Sequence, residues 1–361
     1  MPDKTSEQLR RERASREFAA RKIDSLLVTS LPSVRYLTGF TGSNAALVMD
    51  AGGAGVLFTD PRYTVQAGQQ VNCRVKIVKG RLMAAVLAHV GRRGLRRVGF
   101  EDDNLTVGAF NVLKKDFPPK ASLVPAAGLV SALRMVKDDG EMALIRESVR
   151  INSLAFEQAV CSLKPGVTEA EFAAEIDYQS RRLGAEGPAF DTLVAAGARA
   201  ALPHAHPGAT IIDTGMLLID MGAFRHGYAS DMTRMIYLGS APRRYRNAYR
   251  AVLDAQLAAL DAIRPGVTAA AVDRAARVVL KAHGFEREFV HSSGHGLGLE
   301  IHEPPRLGRK DKTKLEAGMA ITIEPGVYIE GWGGIRIEDT VLVTAGGCDI
   351  LTPTSKSLRE I

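Results

Sequence analysis

The chain has 361 residues, of which 46% are apolar and 24% are charged. This composition is typical of a folded globular protein and excludes a fibrous or disordered chain, while the length favours two domains over a single large one. Lysine and arginine number 47 against 40 aspartates and glutamates, and the net charge of +7 is scattered through short clusters without an aromatic or recognition motif, so we expect solvated basic faces and no nucleic-acid partner.

Cysteine use and the amino terminus bear on the compartment. Cys73, Cys161 and Cys348 are odd in number and widely spaced, which is typical of reduced structural thiols and unlike a disulfide framework. Residues 1–18 are charged throughout, and no apolar run reaches membrane-spanning length. We therefore expect a cytoplasmic protein without a membrane partner.

The first third of the chain alternates between predicted strands and helices. Five short runs are predicted to be strands: SLLVTS, NAALVMD, AGVLFTD, VKIVKG and RRVGFE. LMAAVLAHV is predicted to be a helix, and turn signals lie at residues 39–43 and 60–62. The pattern predicts an α/β domain over residues 1–134, and its glycines lack the strand, turn and helix context of a nucleotide-binding loop.

The pattern changes at residues 133–139, where a long helix is predicted to begin. Asp138 or Asp139 can cap it, and apolar residues recur at helical spacing between Leu144 and Leu154. We therefore place a second domain over residues 135–361.

The second domain contains a repeat with an offset of 100 residues. KPGVT at 164–168 and RPGVT at 264–268 each precede a predicted helix, with Thr168 and Thr268 as natural N-caps. Each helix leads to a strand with a small-residue turn and then to a strand that opens with Gly-Met. This agreement in cap and order predicts two similar halves folded face to face, and coincidence between generic α/β units explains it poorly.

Each half ends in a pair of acidic residues on strands predicted to be neighbours. Asp220 and Asp231 are eleven positions apart, and Glu324 and Glu338 are fourteen apart, spacings that suit antiparallel strands joined by a glycine-bearing turn. His295 precedes the second pair, and as a ligand of one metal ion it would give two bound ions unequal ligand sets. Four carboxylates and one imidazole form a ligand set for two divalent cations, which makes a hydrolase the leading hypothesis.

Taken singly, an acid at a strand end is more often a turn or salt-bridge residue. Asp220 and Glu324 nevertheless lie in the apolar runs LLID and AITIE, where an unpaired charge would be costly, and metal ligation explains their burial better. Alternation along a strand places Arg336 on the same side as Glu338, where it could hydrogen-bond a ligand carboxylate.

Histidines cluster in the same region. His204 and His302 occupy corresponding loops of the two halves, and imidazoles can stabilise an oxyanion and protonate a leaving amine. We therefore select His204 and His302 as candidate catalytic groups. Four other histidines are predicted to lie on the surface: His89, His206, His226 and His283.

These residues resemble the pita-bread metallopeptidases, and among them the Xaa-Pro aminopeptidases (aminopeptidase P) and the Xaa-Pro dipeptidases (prolidases). In the second domain the resemblance rests on ALPHAH, LLIDMG, GYASDMTR, GHGLGLEIHE, TIEPGVY and GIRIEDT, and in the first on VRYLTGFTGSNAALVM and TDPRYTVQA. It implies the fold class α/β (α+β), with a creatinase-type N-terminal α/β domain followed by a pita-bread catalytic domain of two pseudo-symmetric halves.

The resemblance also implies the residues of a site. The metal-ligand positions of the family match Asp220, Asp231, His295, Glu324 and Glu338. Its catalytic positions match His204, His291, His302, Glu324 and Arg336. In this family Glu324 would also accept a proton from the nucleophilic water.

By resemblance the protein would cleave the bond between a first residue and a following proline, using two divalent metal ions. Mn²⁺ is the first expectation for the metal, with Co²⁺ and Zn²⁺ as alternatives, and a homodimer is the expected assembly. A bridging water would attack the scissile carbonyl while His302 and His204 stabilise the tetrahedral intermediate. An Xaa-Pro aminopeptidase is the leading interpretation, and a prolidase restricted to dipeptides is its alternative.

The alternative from another class is a non-catalytic pita-bread module that binds protein or nucleic acid. The complete ligand set favours the enzyme. Methionine aminopeptidases share the catalytic fold but typically lack the N-terminal domain, and creatinase lacks the complete ligand set, so both rank lower.

Overall fold

The chain forms two structural units, which the computed structural model describes over residues 4–361. The units are Met1–Arg134 and Met135–Ile361. None of the helices within the described range has the length and apolar character that are needed to cross a lipid bilayer. All three cysteines carry free thiols, as predicted, although Cys161 is exposed and therefore lies outside any core.

The first unit is built on one six-stranded mixed sheet. Its strands are β1 (Ser25–Val28), β2 (Ala45–Asp50), β3 (Gly55–Thr59), β4 (Arg74–Ile77), β5 (Arg97–Phe100) and β6 (Ser122–Pro125). The helices of this region are α1 (Ser6–Arg16), α2 (Leu31–Thr38), α3 (Thr64–Gln70), α4 (Leu82–Arg93), α5 (Val107–Lys115) and α6 (Leu129–Met135). The strand order is β4-β3-β2-β1-β5-β6, and the β1–β2 and β2–β3 pairs are antiparallel. The five strands and the helix predicted here are confirmed.

The second unit contains four sheets and four long helices among its described elements. The helices are α7 (Asp139–Ser162), α8 (Glu169–Arg182), α9 (Arg243–Asp261) and α10 (Ala269–Ala282). The strands of its first half are β7 (Gly187–Pro188), β8 (Leu193–Ala196), β9 (Gly215–Met221), β10 (Ala223–Arg225), β11 (Tyr228–Ala229) and β12 (Met232–Leu238). Those that follow α10 are β13 (His295–Gly296), β14 (Glu303–Arg306), β15 (Ala320–Ile323), β16 (Gly326–Ile329), β17 (Gly333–Arg336), β18 (Asp339–Val343), β19 (Cys348–Ile350) and β20 (Arg359–Glu360).

The helix starts follow the predicted caps with one exception. Asp138 caps α7 and Thr168 caps α8, each in a reciprocal capping box with the glutamate three residues later. Thr268 is the N-cap residue of α10, but its side chain makes no capping hydrogen bond. The Ala271 amide donates instead to the Thr268 backbone oxygen at 2.8 Å. Ala271 also has no side-chain acceptor for the Thr268 backbone amide, so the reciprocal box of α8 cannot form.

The predicted repeat is visible in the strands. β9 pairs antiparallel with β12, and β15 pairs antiparallel with β18. Each pair encloses a short hairpin, β10–β11 in the first half and β16–β17 in the second. The acidic pairs therefore lie at equivalent ends of two similar strand pairs.

A buried arginine joins the two halves beside these strand ends. The Arg234 side chain on β12 donates to the Asp339 carboxylate at 2.7 Å and to the backbone oxygens of Glu338 at 2.5 Å and Thr354 at 2.7 Å. Both charged groups are almost fully buried. Because its charge is paired and its donors are satisfied, this arginine can lie inside the unit.

Candidate active site

A pocket of about 840 Å³ opens in the second unit between its two halves. Its walls include every site residue selected from the sequence: His204, Asp220, Asp231, His291, His295, His302, Glu324, Arg336 and Glu338. Residues separated by more than a hundred positions in the chain thus face one cavity.

The strand ends bring the carboxylates together. Asp220 lies on β9, and Asp231 immediately precedes β12. In the second half Glu324 follows β15, and Glu338 precedes β18. Because each pair of strands is antiparallel, both acids of a half lie at the same end of that pair.

His295 lies on β13 among these acids. Its Nε2 is 3.5 Å from Oδ2 of Asp231 and 3.6 Å from Oε1 of Glu324. One donor atom each from Asp231, His295 and Glu338 lies within 4.8 Å of the other two. Its Nδ1 is 3.0 Å from the Gly296 backbone oxygen, which can only accept, so Nδ1 carries a proton and Nε2 is the ring nitrogen that faces the carboxylates.

The acids shift one another's pKa values, and burial has the largest effect. Burial raises the pKa of Glu324 to about 7, although His295 and Arg336 oppose the shift. Burial also raises the pKa of Glu338 well above its ordinary value, and repulsion from Asp231 adds to this. Burial would lower the pKa of His295, but its hydrogen bond to Asp231 and the Glu324 charge outweigh burial and raise that pKa to about 9. The site is short of positive charge.

This donor set fits divalent cations. Oδ1 of Asp220 is buried and has no hydrogen-bond partner among the described residues, whereas Oδ2 accepts a hydrogen bond from Arg336. A buried carboxylate oxygen without a donor is costly unless a cation approaches it. Oxygen donors with one imidazole are typical ligands of hard and borderline metal ions.

Arg336 contacts the acidic cluster directly and through a threonine. Its Nη2 donates to Oδ2 of Asp220 at 2.5 Å, and its Nε donates to Oγ1 of Thr233 at 2.9 Å. The Thr233 hydroxyl in turn donates to Oε2 of Glu338 at 2.7 Å. The carboxylate that Arg336 contacts directly is thus Asp220, and Thr233 connects Arg336 to Glu338.

The sequence reasoning missed Thr233. A signal was present in GYASDMTR, because Thr233 is two residues after Asp231 and pairs with Asp220 across β9 and β12. Residues two apart in a strand share a face, so Thr233 faces the same cluster.

Buried acids in the first two turns of two helices hold the histidine loops. Glu169 of α8 accepts from the backbone amides of Ala196 and Gly208 and from Arg199, and Arg199 also donates to the His206 backbone oxygen. This network fixes the loop that carries His204.

The second half uses an equivalent device on α10. Asp273 accepts from the backbone and side chain of Ser293, and it pairs with Arg277. Arg277 donates to the backbone oxygens of Phe289 and His291. None of these helix residues was singled out from the sequence.

The histidines differ in exposure. His204 and His302 are exposed in the pocket wall, and the ring of His302 lies 4.4 Å from that of His295. Burial, followed by repulsion from His295, lowers the pKa of His302. His291 is deeper, and burial together with Arg336 lowers its pKa to about 3.

The surface histidines are mostly as predicted. His206, His226 and His283 are exposed, and His206 also borders the pocket. The prediction was wrong for His89, which is half-buried with its ring 5.4 Å from that of Phe58. The apolar face of α4 packs on the sheet there, and this packing places His89 of the same helix beside the sheet.

Comparison with known proteins agrees with this architecture. The model of metallopeptidase family M24 matches residues 143–345, and that of the creatinase/prolidase N-terminal domain matches residues 10–136. The chain is 35% identical to the Xaa-Pro dipeptidase of Pyrococcus horikoshii over 337 residues, which are 93% of this chain and 94% of that protein.

Two solved structures are similar over almost their whole length. An Xaa-Pro dipeptidase from Bacillus anthracis superimposes with a TM-score of 0.95 at 36% identity, covering 98% of this chain and 100% of that one. An X-Pro aminopeptidase from Thermotoga maritima superimposes with a TM-score of 0.89 at 34% identity, covering 96% and 100%. The chain therefore belongs to metallopeptidase family M24, as a hydrolase with a creatinase-type N-terminal domain and a pita-bread catalytic domain.

Proposed function

We propose that this protein is a dinuclear-metal exopeptidase that hydrolyses the peptide bond between an N-terminal residue and a following proline. The observation that carries the proposal is the convergence of four carboxylates and His295 on one pocket of a metallopeptidase fold. Relatives named Xaa-Pro dipeptidase and X-Pro aminopeptidase support the choice of substrate.

The metal ions would be held by residues of both halves: Asp220, Asp231, His295, Glu324 and Glu338. Bound there, two divalent cations would supply the positive charge that the cluster lacks and would acidify a water at neutral pH. We propose Mn²⁺ as the native metal, with Co²⁺ or Zn²⁺ as alternatives.

The protein residues around them would handle the protons and the developing charge. Glu324 would accept a proton from the attacking water as its oxygen bonds to the scissile carbonyl carbon. His204 and His302 are the exposed imidazoles in the wall, and they would hydrogen-bond the resulting oxyanion. When the carbon–nitrogen bond breaks, Glu324 would return the proton to the proline nitrogen.

One observation favours the dipeptidase alternative. Arg306 on β14 is exposed in the pocket wall, and its Nε donates to Oγ of Ser292 at 3.3 Å. The free carboxylate of an Xaa-Pro dipeptide follows the scissile bond directly, and a guanidinium can bind it through paired hydrogen bonds. A longer peptide has an uncharged amide at that point.

A comparison of two substrates tests the proposal. Purified protein supplied with Mn²⁺ should hydrolyse an Xaa-Pro dipeptide or an Xaa-Pro-Xaa tripeptide and should leave the matching Xaa-Ala peptides intact. In Arg306→Gln, kcat/KM for the dipeptide should fall about tenfold or more while that for the tripeptide changes little. Equal losses on both peptides would argue against the dipeptidase alternative.

The metal ligands provide the second test. Asp231→Ala and Glu338→Ala should each lose bound Mn²⁺ and hydrolysis together, whereas His226→Ala on the surface should keep both. Full activity of an Asp231→Ala, Glu338→Ala double variant without bound metal would contradict the assignment. We further propose a homodimer, which light scattering of the purified protein would test.

A further inference from the structure

Tyr328 links two residues of the site that the sequence reasoning treated separately. It lies on β16, directly opposite Gly334 of β17, and is only 9% exposed. Its hydroxyl oxygen is 2.9 Å from Nε2 of His291 and 2.6 Å from Nη1 of Arg336. Tyr328 was not among the candidate residues.

The directions of these hydrogen bonds follow from the chemistry of the groups. Arginine can only donate, so the Tyr328 oxygen accepts from Arg336, and its own proton must go to another acceptor. Nδ1 of His291 is 2.7 Å from the backbone oxygen of Ser292, and a carbonyl can only accept. The proton of the imidazole is therefore on Nδ1, which leaves Nε2 as the acceptor for the Tyr328 hydroxyl.

The hairpin is shaped around the tyrosine. A Cβ added to Gly326 would come within 2.7 Å of the Tyr328 hydroxyl, and one added to Gly334 would come within 2.8 Å of the Tyr328 ring. The Tyr328 side chain thus occupies a slot beside two glycines of neighbouring strands, and side chains at those two positions would fill it. The position of the hydroxyl is set by packing as well as by its hydrogen bonds.

We propose that Tyr328 is a positioning residue that holds the ring of His291 in the Nδ1–H tautomer. Nδ1 lies 3.9 Å from Oε2 of Glu324, so this tautomer presents an N–H edge to that carboxylate. The reverse tautomer would turn a lone pair toward Glu324 and toward the Ser292 carbonyl.

The assignment changes the role of His291. Both of its ring nitrogens are engaged by protein atoms, so it forms a fixed wall beside Glu324, and it does not exchange a proton with substrate. The kinetic consequence rests on the proposed Xaa-Pro peptidase function, whereas the tautomer itself does not.

Tyr328→Phe removes the hydroxyl and keeps the ring in its slot. Arg336 retains its bonds to Asp220 and Thr233, so the metal content should not change. Tyr245→Phe is the matched control, because Tyr245 is also buried but its hydroxyl has no hydrogen-bond partner within the described part of the chain.

The main measurement is ¹⁵N NMR of histidine-labelled, zinc-loaded protein, in which the His291 signals are identified by their loss in His291→Gln. Wild type and Tyr245→Phe should show protonated Nδ1 and unprotonated Nε2, whereas Tyr328→Phe should populate both tautomers. For hydrolysis of an Xaa-Pro dipeptide, kcat of Tyr328→Phe should fall about tenfold, with KM changed much less.

Three outcomes would overturn the proposal: an unchanged single tautomer in Tyr328→Phe, loss of bound zinc in that variant, or the same changes in Tyr245→Phe. If no variant and no wild-type preparation cleaves Xaa-Pro peptides, the proposed function fails, and the tautomer of His291 still decides whether Tyr328 positions it.

Discussion

At the scale of single residues, the site depends on close approaches that only glycine permits. Gly294 precedes His295 and has a φ of +157°, at the edge of the region that side chains rarely adopt. A Cβ at this position would overlap the backbone oxygen of Thr322 on β15. Gly294 therefore lets the chain that carries His295 lie against the strand that leads to Glu324.

Gly294→Ala should separate these two segments and displace His295 from the acids. We expect a loss of stability of about 1–3 kcal/mol, together with weaker metal binding. Thermal unfolding and the metal content per chain measure both effects. Gly346→Ala is the control, because no atom lies within 4 Å of its added Cβ, and a metal content in Gly294→Ala equal to that of the control would contradict the prediction.

A buried acid in the first unit predicts a pH dependence. Glu101 is 6% exposed, and its Oε2 accepts from the backbone amides of Thr29 and Ser30 at 2.8 and 2.9 Å. Burial raises the pKa of Glu101 above its ordinary value, and the hydrogen bonds from Ser30, Ser33 and Thr29 only partly oppose it. The folded unit therefore binds this proton more tightly than the unfolded chain does.

The stability that Glu101 contributes is consequently complete below its unfolded pKa and is lost as the pH rises through its folded pKa. Glu101→Gln keeps an acceptor oxygen and cannot ionise, so its stability relative to wild type should increase between about pH 4 and pH 7. Hydrogen exchange of peptides containing β1, measured on both proteins at both pH values, tests this. A difference that does not vary with pH would show that the charge of Glu101 has no part in it.

At the scale of elements, the two halves repeat a helix start with different chemistry. Thr168 and Glu171 form a reciprocal capping box, in which the Glu171 amide donates to the Thr168 hydroxyl at 3.2 Å and the Thr168 amide donates to Glu171 at 2.8 Å. Thr268 has the same PGVT context but makes no such bond. Identical local sequence before a helix is thus not enough for a reciprocal capping box, because the side chain that accepts from the N-cap amide lies three residues inside the helix.

The repeat offers a matched pair of substitutions. Thr168→Ala should destabilise the protein by about 1 kcal/mol, and Thr268→Ala should cost less than half of that. Introducing the missing partner with Ala271→Glu should stabilise α10 by a few tenths of a kcal/mol or more. Urea unfolding of the four proteins measures these differences, and equal losses from the two threonine variants would count against the explanation.

At the scale of the whole molecule, the second unit gathers like charges where its halves meet. Burial raises the pKa values of Asp231, Glu324 and Glu338, and repulsion from Asp220 adds to each of these shifts, so the unit is destabilised there unless a cation is bound. Metal binding should therefore stabilise the folded chain as well as enable hydrolysis.

Removing the metal should lower the melting temperature, and restoring Mn²⁺ should raise it again. At a free ion concentration of 100 times Kd the gain is about 2.7 kcal/mol per site. Scanning calorimetry after dialysis against a chelator, with and without added Mn²⁺, measures the difference. In Glu338→Gln, most of the increase in melting temperature on adding Mn²⁺ should be lost. A wild-type melting temperature that does not change with Mn²⁺ would contradict the prediction that metal binding stabilises the folded chain.

Many elements of this fold can be predicted from the sequence because each depends on a short, local pattern of residues. The strands of the first unit follow from short apolar runs, α7 and α8 from a capping residue with its partner, and the two halves from a repeated order of elements. The acidic pairs stand out because charge is rare inside apolar runs. His89 was predicted wrongly because residue type alone does not fix burial: a polar residue on an amphipathic helix can still pack against a sheet.

The sequence by itself therefore determined the two units, the repeat, the family and the residue types that gather in one pocket. Only the tertiary structure decided that Arg336 contacts Asp220, that Thr233 relays to Glu338, and that Tyr328 orients His291. These contacts join segments that lie apart in the chain, and more than a hundred positions separate Arg336 from Asp220 and Thr233 from Glu338. Hydrogen bonds depend on tenths of an ångström and on direction, and such geometry exists only once the two halves have packed together.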